Sequence, residues 1–499
     1  MGERENGRSE TGLSRRQRVV VLGICCLSLL IVGLDTTIVN VALPSIKRDL
    51  DASVSGLQWV IDAYTLVLAS LLMLSGSTAD RVGRKRIFQA GLVVFSVGSL
   101  LCGLASSLEL LIAFRVLQAV GGSMLNPVAM SIIRNVFDDP RERAVAIGMW
   151  GAVFGVSMAL GPVLGGALVD SVGWRAVFFV NVPIGAGAVA LTATFVPESR
   201  AEHARRFDPV GQLVVIAALA SLTYAIIEAP AAGWTSDGIL ALFAFSIAAF
   251  TTLVLYELRR REPLLEMRFF RSAPFSGAST IAVCVFAAMG GFLFLNTLYL
   301  QEVRHLSPLD AGLYMLPMAV MVLVCSPLSG RIVSRRGARI PLVAASLALI
   351  AGSVTLTRLT PTTPVGYLLA AYLVFGIGAG LVNPPITNTA VSGMPPSQAG
   401  VAAAIASTSR QVGFTLGVAV IGAIAGGTLS GAIGPSFAAA THAGWWVIAG
   451  LGAICLAVGL LTTTGWARDT ARRTAERFRE GPAPPALRPA RVRAGVGVD

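Results

Sequence analysis

The sequence predicts an all-α polytopic membrane protein with fourteen transmembrane helices. Three observations carry that expectation. Apolar residues make up 54% of the 499 positions and charged ones 13%, with a mean hydropathy of +0.72. A soluble globular chain carries about 25% charged residues. Fourteen apolar stretches are long enough to cross a bilayer, which takes ~20 helical residues. The cations then alternate between the connections. Of 39 Lys and Arg residues, 32 fall on one side, five on the other, and Arg115 and Arg410 lie within spans. The cation-rich side, which holds both termini, is expected in the cytoplasm.

Each element follows in order. Residues 1–18 form a basic tail. Arg15 to Arg18 precede an apolar run too long for a signal-peptide core, so 19–43 reads as span 1. Spans 2 to 6 fall near 56–78, 87–106, 108–133, 144–169 and 175–196, completing a first six-helix group over 19–197. Spans 7 and 8, near 209–229 and 238–257, lie in 198–273 between basic connections. Spans 9 to 14 fall near 274–300, 309–329, 341–358, 365–391, 401–429 and 444–466, a second group over 274–466. A faint repeat relates the groups. GRIVSRRGAR (330–339) follows span 10 as GSTADRVGRKR (76–86) follows span 2, with Ser334 where Asp80 stands. Two parallel six-helix halves with an inserted pair are therefore expected. Leu258 to Phe270 mixes cations with Leu, Met and Phe and reads as an amphipathic interfacial helix. In the basic tail 467–499, Arg468 to Glu480 reads as helix and the Pro, Ala and Arg-rich end beyond Gly481 as disordered.

Composition also excludes. The net charge of +12 sits in short clusters between spans, which argues for a lipid bilayer and against nucleic acid. The six cysteines lie in apolar segments without paired spacing and read as free buried thiols. His203, His305 and His442 are scattered, read as loop residues, and make no metal set. No cofactor or metal is expected.

Few ionisable residues lie inside spans, where they are costly and usually functional. Asp35 stands in span 1 within LDTTIVNVALP, and Arg115 in span 4 within RVLQAVGGS. A guanidinium there needs a carboxylate, carbonyls or water, and Asp35 is its expected partner. A carboxylate that gains and loses such a cation can take up and release a proton. Asp62, in QWVIDAYTLVL of span 2, is expected to face the central cavity or the outer water. Asp35 and Asp62, with Glu228 near the end of span 7, are the candidate acids for a cargo site. Arg410 in span 13 has no acidic partner in spans 9 to 14. In the turn after span 2, Gly76 and Gly83 allow close approach and unusual backbone angles. Asp80 can accept from helix N-terminal N–H groups or pair with a cation, and Arg81 and Arg84 to Arg86 hold the turn on the inside. Span 5 reads GMWGAVFGVSMALGPVLGGAL. Gly148, Gly161, Gly165 and Gly166 give it a smooth face, and Pro162 bends it.

On these residues the chain resembles the fourteen-span drug:proton antiporters of the major facilitator superfamily, over about residues 15–466. The matching runs are LDTTIVNVALP, GSTADRVGRKR, RVLQAVGGS, GPVLGG and WRAVFFVNVPIG, the last opening span 6. The resemblance implies that Asp35 and Arg115 take the proton-coupling positions. It implies that Gly76, Asp80, Arg81, Gly83 and Arg84 form a conformational lock. Gly148, Gly161, Pro162, Gly165 and Gly166 fall in a pattern associated with antiporters. Ala119 and Ser157 stand where the family patterns usually have Gly.

The expectation is a monomeric proton-driven exporter of hydrophobic, cationic, drug-like small molecules working by alternating access. Export of one endogenous metabolite or antibiotic by the same mechanism stays open. A membrane-embedded enzyme is the reading from another class. It needs a nucleophile–base pair or metal ligands, and Asp35, Asp62 and Arg115 form none.

Overall fold

The computed structural model describes residues 13–201, 207–260, 263–392, 394, 399–427 and 436–479. His203 and the chain beyond Gly481 lie outside the described residues. The described chain is helical, and fourteen helices or helix pairs are long and apolar enough to cross a membrane.

The first half contains α1 (Arg15–Leu50), α2 (Val54–Val82), α3 (Arg84–Gly103), α4 (Leu108–Ser123), α5 (Asn126–Val136), α6 (Pro140–Ser171), α7 (Ala176–Phe179) and α8 (Asn181–Phe195). Then come α9 (Pro209–Ala232) and α10 (Asp237–Arg259). The second half contains α11 (Ala273–Leu298), α12 (Pro308–Tyr314), α13 (Leu316–Arg336), α14 (Arg339–Leu356), α15 (Val365–Val391), α16 (Ala399–Gly427) and α17 (Ser436–Thr462), followed by α18 (Gly465–Arg479). Local sequence sets the ends. Ser14 and Gln17 form a capping box on α1, and Ser53, Ser107, Asp139, Asp208 and Ser307 cap α2, α4, α6, α9 and α12.

The turn expected over 76–86 is tighter than its composition suggests. Helix α2 runs through Asp80 to Val82, and Gly83 alone, at φ 130°, separates it from α3. The Glu198 carboxylate occupies the space a Cβ at Gly83 would take and accepts from the Lys85 N–H at 3.2 Å. The repeat is visible at the same place in the second half. Gly337, at φ 80°, separates α13 from α14.

In the first half α1 packs on α6, α2 and α3 on α4, and α3 on α8; in the second, α11 packs on α16 and α17, and α15 on α13 and α14. Helix α9 packs on α10 and also on both α2 and α16, so the extra pair lies across the junction of the halves. Gln212 of α9 donates to the Ser70 carbonyl at 2.7 Å.

The halves close against each other at the end away from the basic turns. One apolar cluster there runs from Ile38, Ala42 and Leu43 of α1 to Phe292, Leu295 and Tyr372. Toward the basic end α6 and α13 part, while Met73 of α2 still packs against the cluster that holds Ala402, Ile405 and Ala406 of α16. Gly155 of α6 meets Leu323 of α13 at 3.7 Å. Gly148 lies on the same face two turns nearer the basic end, and Gly330 two turns beyond Leu323. A Cβ at either would have nothing within 4 Å.

Two local expectations are corrected. Leu258 to Phe270 is not an interfacial helix. Helix α10 ends at Arg259, Pro263 follows, and only Met267–Arg271 forms a 3-10 turn. Phe269 in that turn is buried against Phe275 and Phe478, which ties α18 to the start of α11. His442 is not in a loop; it lies in α17, with Nε2 2.8 Å from the Leu359 carbonyl.

Candidate functional site

Asp35 sits midway along α1, in a helix with no other acid before Asp49. Arg115 comes from α4. The structure brings them together, with Arg115 Nη1 donating to Asp35 Oδ2 at 2.5 Å. Their side chains are 0% and 1% exposed. Burial of such a pair is tolerable only when the remaining lone pairs and protons also find partners.

They do find them. Gln118 Nε2 donates to Asp35 Oδ1 at 2.8 Å and Asn181 Nδ2 to the same oxygen at 3.2 Å. Arg115 Nη1 also donates to Gln118 Oε1 at 2.9 Å, and its Nε to the Val60 carbonyl at 3.0 Å. The guanidinium lies 4.1 Å from the Tyr64 ring centroid, over its face. Behind Asn181, Ser99 accepts at 3.1 Å and donates to the Phe178 carbonyl at 2.8 Å. Four elements, α1, α2, α4 and α8, thus converge on the pair. The geometry holds a buried acid–base pair in which both carboxylate oxygens accept hydrogen bonds.

Gln118 and Asn181 were not singled out by sequence reasoning. Gln118 lies three residues after Arg115, on the same helical face, which is a readable signal. Asn181 lies in the run opening span 6, a polar amide among apolar neighbours.

Asp62 stands apart from this pair. It is buried on the face of α2 that carries Gln58 and Thr65. That face meets α16. Gln58 Nε2 donates to the carbonyls of Val418 and Ala419 at 3.1 and 2.9 Å, and Thr415 Oγ1 donates to Thr65 Oγ1 at 2.8 Å. Asp62 Oδ1 accepts from Thr65 at 3.4 Å, and its Oδ2 has no partner among the described residues. Asp62 therefore lies in the seam between the halves. Glu228 lies on the flank of the bundle, where it accepts from Trp59 Nε1 at 2.8 Å and docks α9 on α2.

In the basic turn, Asp80 Oδ1 accepts from Arg84 Nε and Nη2 at 3.0 and 2.9 Å. Its backbone carbonyl accepts from the Ala201 N–H at 3.0 Å, while Arg84 N donates to Ser199 O at 2.9 Å. Of the alternatives for Asp80, the cation is its partner; Glu198 serves the helix N-terminus. Arg81 makes no ion pair among the described residues. At Gly76 a Cβ would meet Pro127 at 3.6 Å, an ordinary contact.

The span-5 glycines divide by neighbour. A Cβ at Gly161 would collide with the Thr37 hydroxyl, and one at Gly165 would lie 2.7 Å from Ile38, so both seat α6 on α1. A Cβ at Gly166 would lie 2.6 Å from Leu309 Cα, and the Pro162 carbonyl faces Gly312; these meet α12 of the other half. A Cβ at Gly148 would meet nothing within 4 Å, so close packing in this state does not explain it.

A model described as "Major Facilitator Superfamily" matches residues 25–418. The multidrug resistance protein Stp of Mycobacterium tuberculosis is 37% identical over 420 residues, covering 84% of this chain and 78% of that protein. The tetracenomycin C resistance and export protein of Streptomyces glaucescens is 36% identical over 415 residues, covering 83% and 77%. The methylenomycin A resistance protein of Streptomyces coelicolor is 36% identical, covering 78% and 82%. In fold the chain is similar to a bacterial homologue of the human lysosomal transporter Spinster, with a TM-score of 0.63, 18% identity, and 94% of this chain and 100% of that one covered. It is similar at the same TM-score to a bacterial homologue of the human peptide transporters PepT1 and PepT2, at 15% identity and covering 92% and 99%.

Proposed function

The chain belongs to the major facilitator superfamily, a family of membrane transporters, and from that premise we propose that it is a proton-coupled antiporter exporting hydrophobic drug-like compounds. Its relatives are named for multidrug and antibiotic resistance, which supports export. One observation carries the coupling. The buried Asp35 carboxylate is held by Arg115, and Arg115 is bonded in turn to the Val60 carbonyl of α2, a helix whose neighbouring turn meets the other half.

Protonation of Asp35 removes the charge that holds Arg115. The guanidinium is then left to Val60, Gln118 and the Tyr64 face. Residues 19–197 and 274–466 act as the two bodies that rock, and the seam helices α2, α6, α12 and α16 are where they part. Deprotonated Asp35 favours the state open at the basic end, where cargo enters; protonation favours release. The basic end is assigned to the cytoplasm by the cation bias, and the exporter works as a monomer in the cell membrane. Single cysteines placed at Ser199 and Ser53 should be labelled from the inside and outside respectively; the reverse pattern overturns the orientation.

A cationic cargo needs a carboxylate. In this state Asp35 has both oxygens filled, and Asp62 points into the seam. A cation therefore pairs with Asp35 only by replacing Arg115, which ties its binding to the same proton switch. The tetracenomycin C relative favours a second reading, export of one antibiotic rather than many. The test is efflux over a compound panel in proteoliposomes, with and without an uncoupler, for wild type and Asp35→Asn. Uncoupler-sensitive efflux that the variant loses supports the proposal. Efflux indifferent to the uncoupler, or retained by the variant, overturns it. Efflux of one compound alone selects the second reading.

A further inference from the structure

The second half carries a cation of its own that no carboxylate neutralises among the described residues. Arg410 lies in α16, on the basic-end side of the Thr65–Thr415 contact. Five residues separate it from Thr415, ~7.5 Å along the helix. Its Nη2 donates to Thr387 Oγ1 at 2.6 Å and its Nη1 to Ser407 Oγ at 3.4 Å. Its Nε is buried and has no partner, and no carboxylate pairs with it among the described residues. Two more buried oxygens there lack partners, Asn383 Oδ1 and Thr408 Oγ1. Asn383 lies one turn from Thr387 on the same face of α15.

A guanidinium carries five N–H donors and a charge, and two hydroxyls satisfy neither in full. An arginine facing lipid would be costly, so an intramembrane one is expected to face protein or a water-filled space. Arg410 is only part-buried and Thr387 is exposed. The charge is therefore reachable from a water-filled space. The buried cation of the first half, Arg115, is by contrast paired with Asp35.

The geometry points to Arg410, with Thr387 and Ser407, as a binding site for an acidic group on the cargo, a carboxylate or an ionised phenol on a flat apolar body. Planar oxyanions match the guanidinium fork, and desolvation strengthens the pair. An anion leaving the cell also moves with the membrane potential, which favours its export. This inference rests on the export reading above and names a cargo class for it.

Fluorescein, an apolar tricycle with a phenolate and a carboxylate, is the probe. Rhodamine 6G, a cation on the same ring system, is the control. Binding to the purified full chain in nanodiscs is read by fluorescence polarisation, with folding checked by gel filtration. Arg410→Gln should weaken fluorescein at least about tenfold, the loss of a charged hydrogen bond, and leave rhodamine 6G within about twofold. Arg410→Lys, which keeps the charge but not the fork, should recover part of the loss. Failure of wild type to bind fluorescein, equal weakening of both probes, or no change in Arg410→Gln overturns the site. Proton coupling is read separately. If fluorescein efflux ignores an uncoupler while Arg410→Gln still loses binding, the coupling reading fails and the anion site stands.

Discussion

Asp35 and Arg115 should destabilise the fold strongly when removed singly and much less when removed together. Asp35→Asn leaves Arg115 buried with no carboxylate. The new amide also presents an NH2 group to the Gln118 and Asn181 donors. Breaking a buried pair from one side costs ~3–5 kcal/mol, and the misplaced donor adds ~1 kcal/mol. Arg115→Met leaves the carboxylate with two neutral amide donors and should cost ~3–5 kcal/mol. Independent effects would sum to roughly 7–11 kcal/mol in the double variant. Because the two charges leave together, the double variant should instead lose only ~2–4 kcal/mol, a coupling of several kcal/mol. Unfolding of the purified protein in mixed micelles by added SDS, followed by the fluorescence of its seven tryptophans, measures each term. All three variants should fail to couple export to protons, so the double variant separates folding from function. Additivity within ~0.5 kcal/mol would refute the pairing.

The other expectations concern the turn, the seam and the second acid. Asp80→Ala removes a part-exposed pair with Arg84, worth ~0.2–1 kcal/mol, so insertion and stability should hold while export falls; normal export would reduce the turn to a topology signal. Gly166→Val forces side-chain atoms against Leu309 and should shift the population toward the state open at the far end by ~1–3 kcal/mol. Spin-label distances across that end report it, with Gly187→Ala in α8, where a Cβ would meet nothing within 4 Å, as a silent control, and unchanged distances would contradict the packing. Two acids in one cavity would make Asp62→Asn weaken dications more than monocations by ~1–3 kcal/mol, whereas an acid in the seam weakens both classes alike. Efflux of a matched series decides, and the burial of Asp62 against α16 favours equal losses.

Much of the fold was legible because lipid imposes a simple rule. Every span must be long, apolar and internally bonded, so counting stretches and cations recovers the elements. The Asp35–Arg115 pair was legible for the same reason, since each charge needs the other. The rest depends on contacts that periodicity does not encode. Gln118 and Asn181 carry no charge, and nothing in a single sequence says that their amides reach one oxygen of Asp35. The Val60 carbonyl is invisible, because every residue has one. The stripe Gln58, Asp62 and Thr65 can be read as one face of α2, but its partner lies some 350 residues along the chain, as the Thr65–Thr415 bond shows. The failure at Leu258–Phe270 has the same origin. Its mixed composition suits an interface, but Phe269 finds a protein pocket against Phe275 and Phe478.

The distribution of bonds also bears on the proposed rocking of the two halves. Among the described residues, five hydrogen bonds join the first half to the second. They are two from Gln58, one each from Thr415 and Gln301, and one from the Leu309 N–H to Asp170. No ion pair among the described residues crosses the seam; each is held within one half or in the connecting and tail segments. Each crossing bond is worth ~0.5–1.5 kcal/mol net, because water replaces it on opening. Opening one end also closes the other, so only the difference between the two seams opposes the motion. Under the proposed coupling, that difference would fall within reach of a proton, which supplies ~2.3 kcal/mol per 100 mV plus its pH term. A buried ion pair across the seam would have raised the barrier by several kcal/mol per stroke. Asp35 and Arg115 lie in one half, which avoids that, and in the proposed coupling the Val60 carbonyl is the link from the pair to α2. An Asp35 variant that lost coupling while Gln58 and Thr65 kept their contacts in both protonation states would break this link.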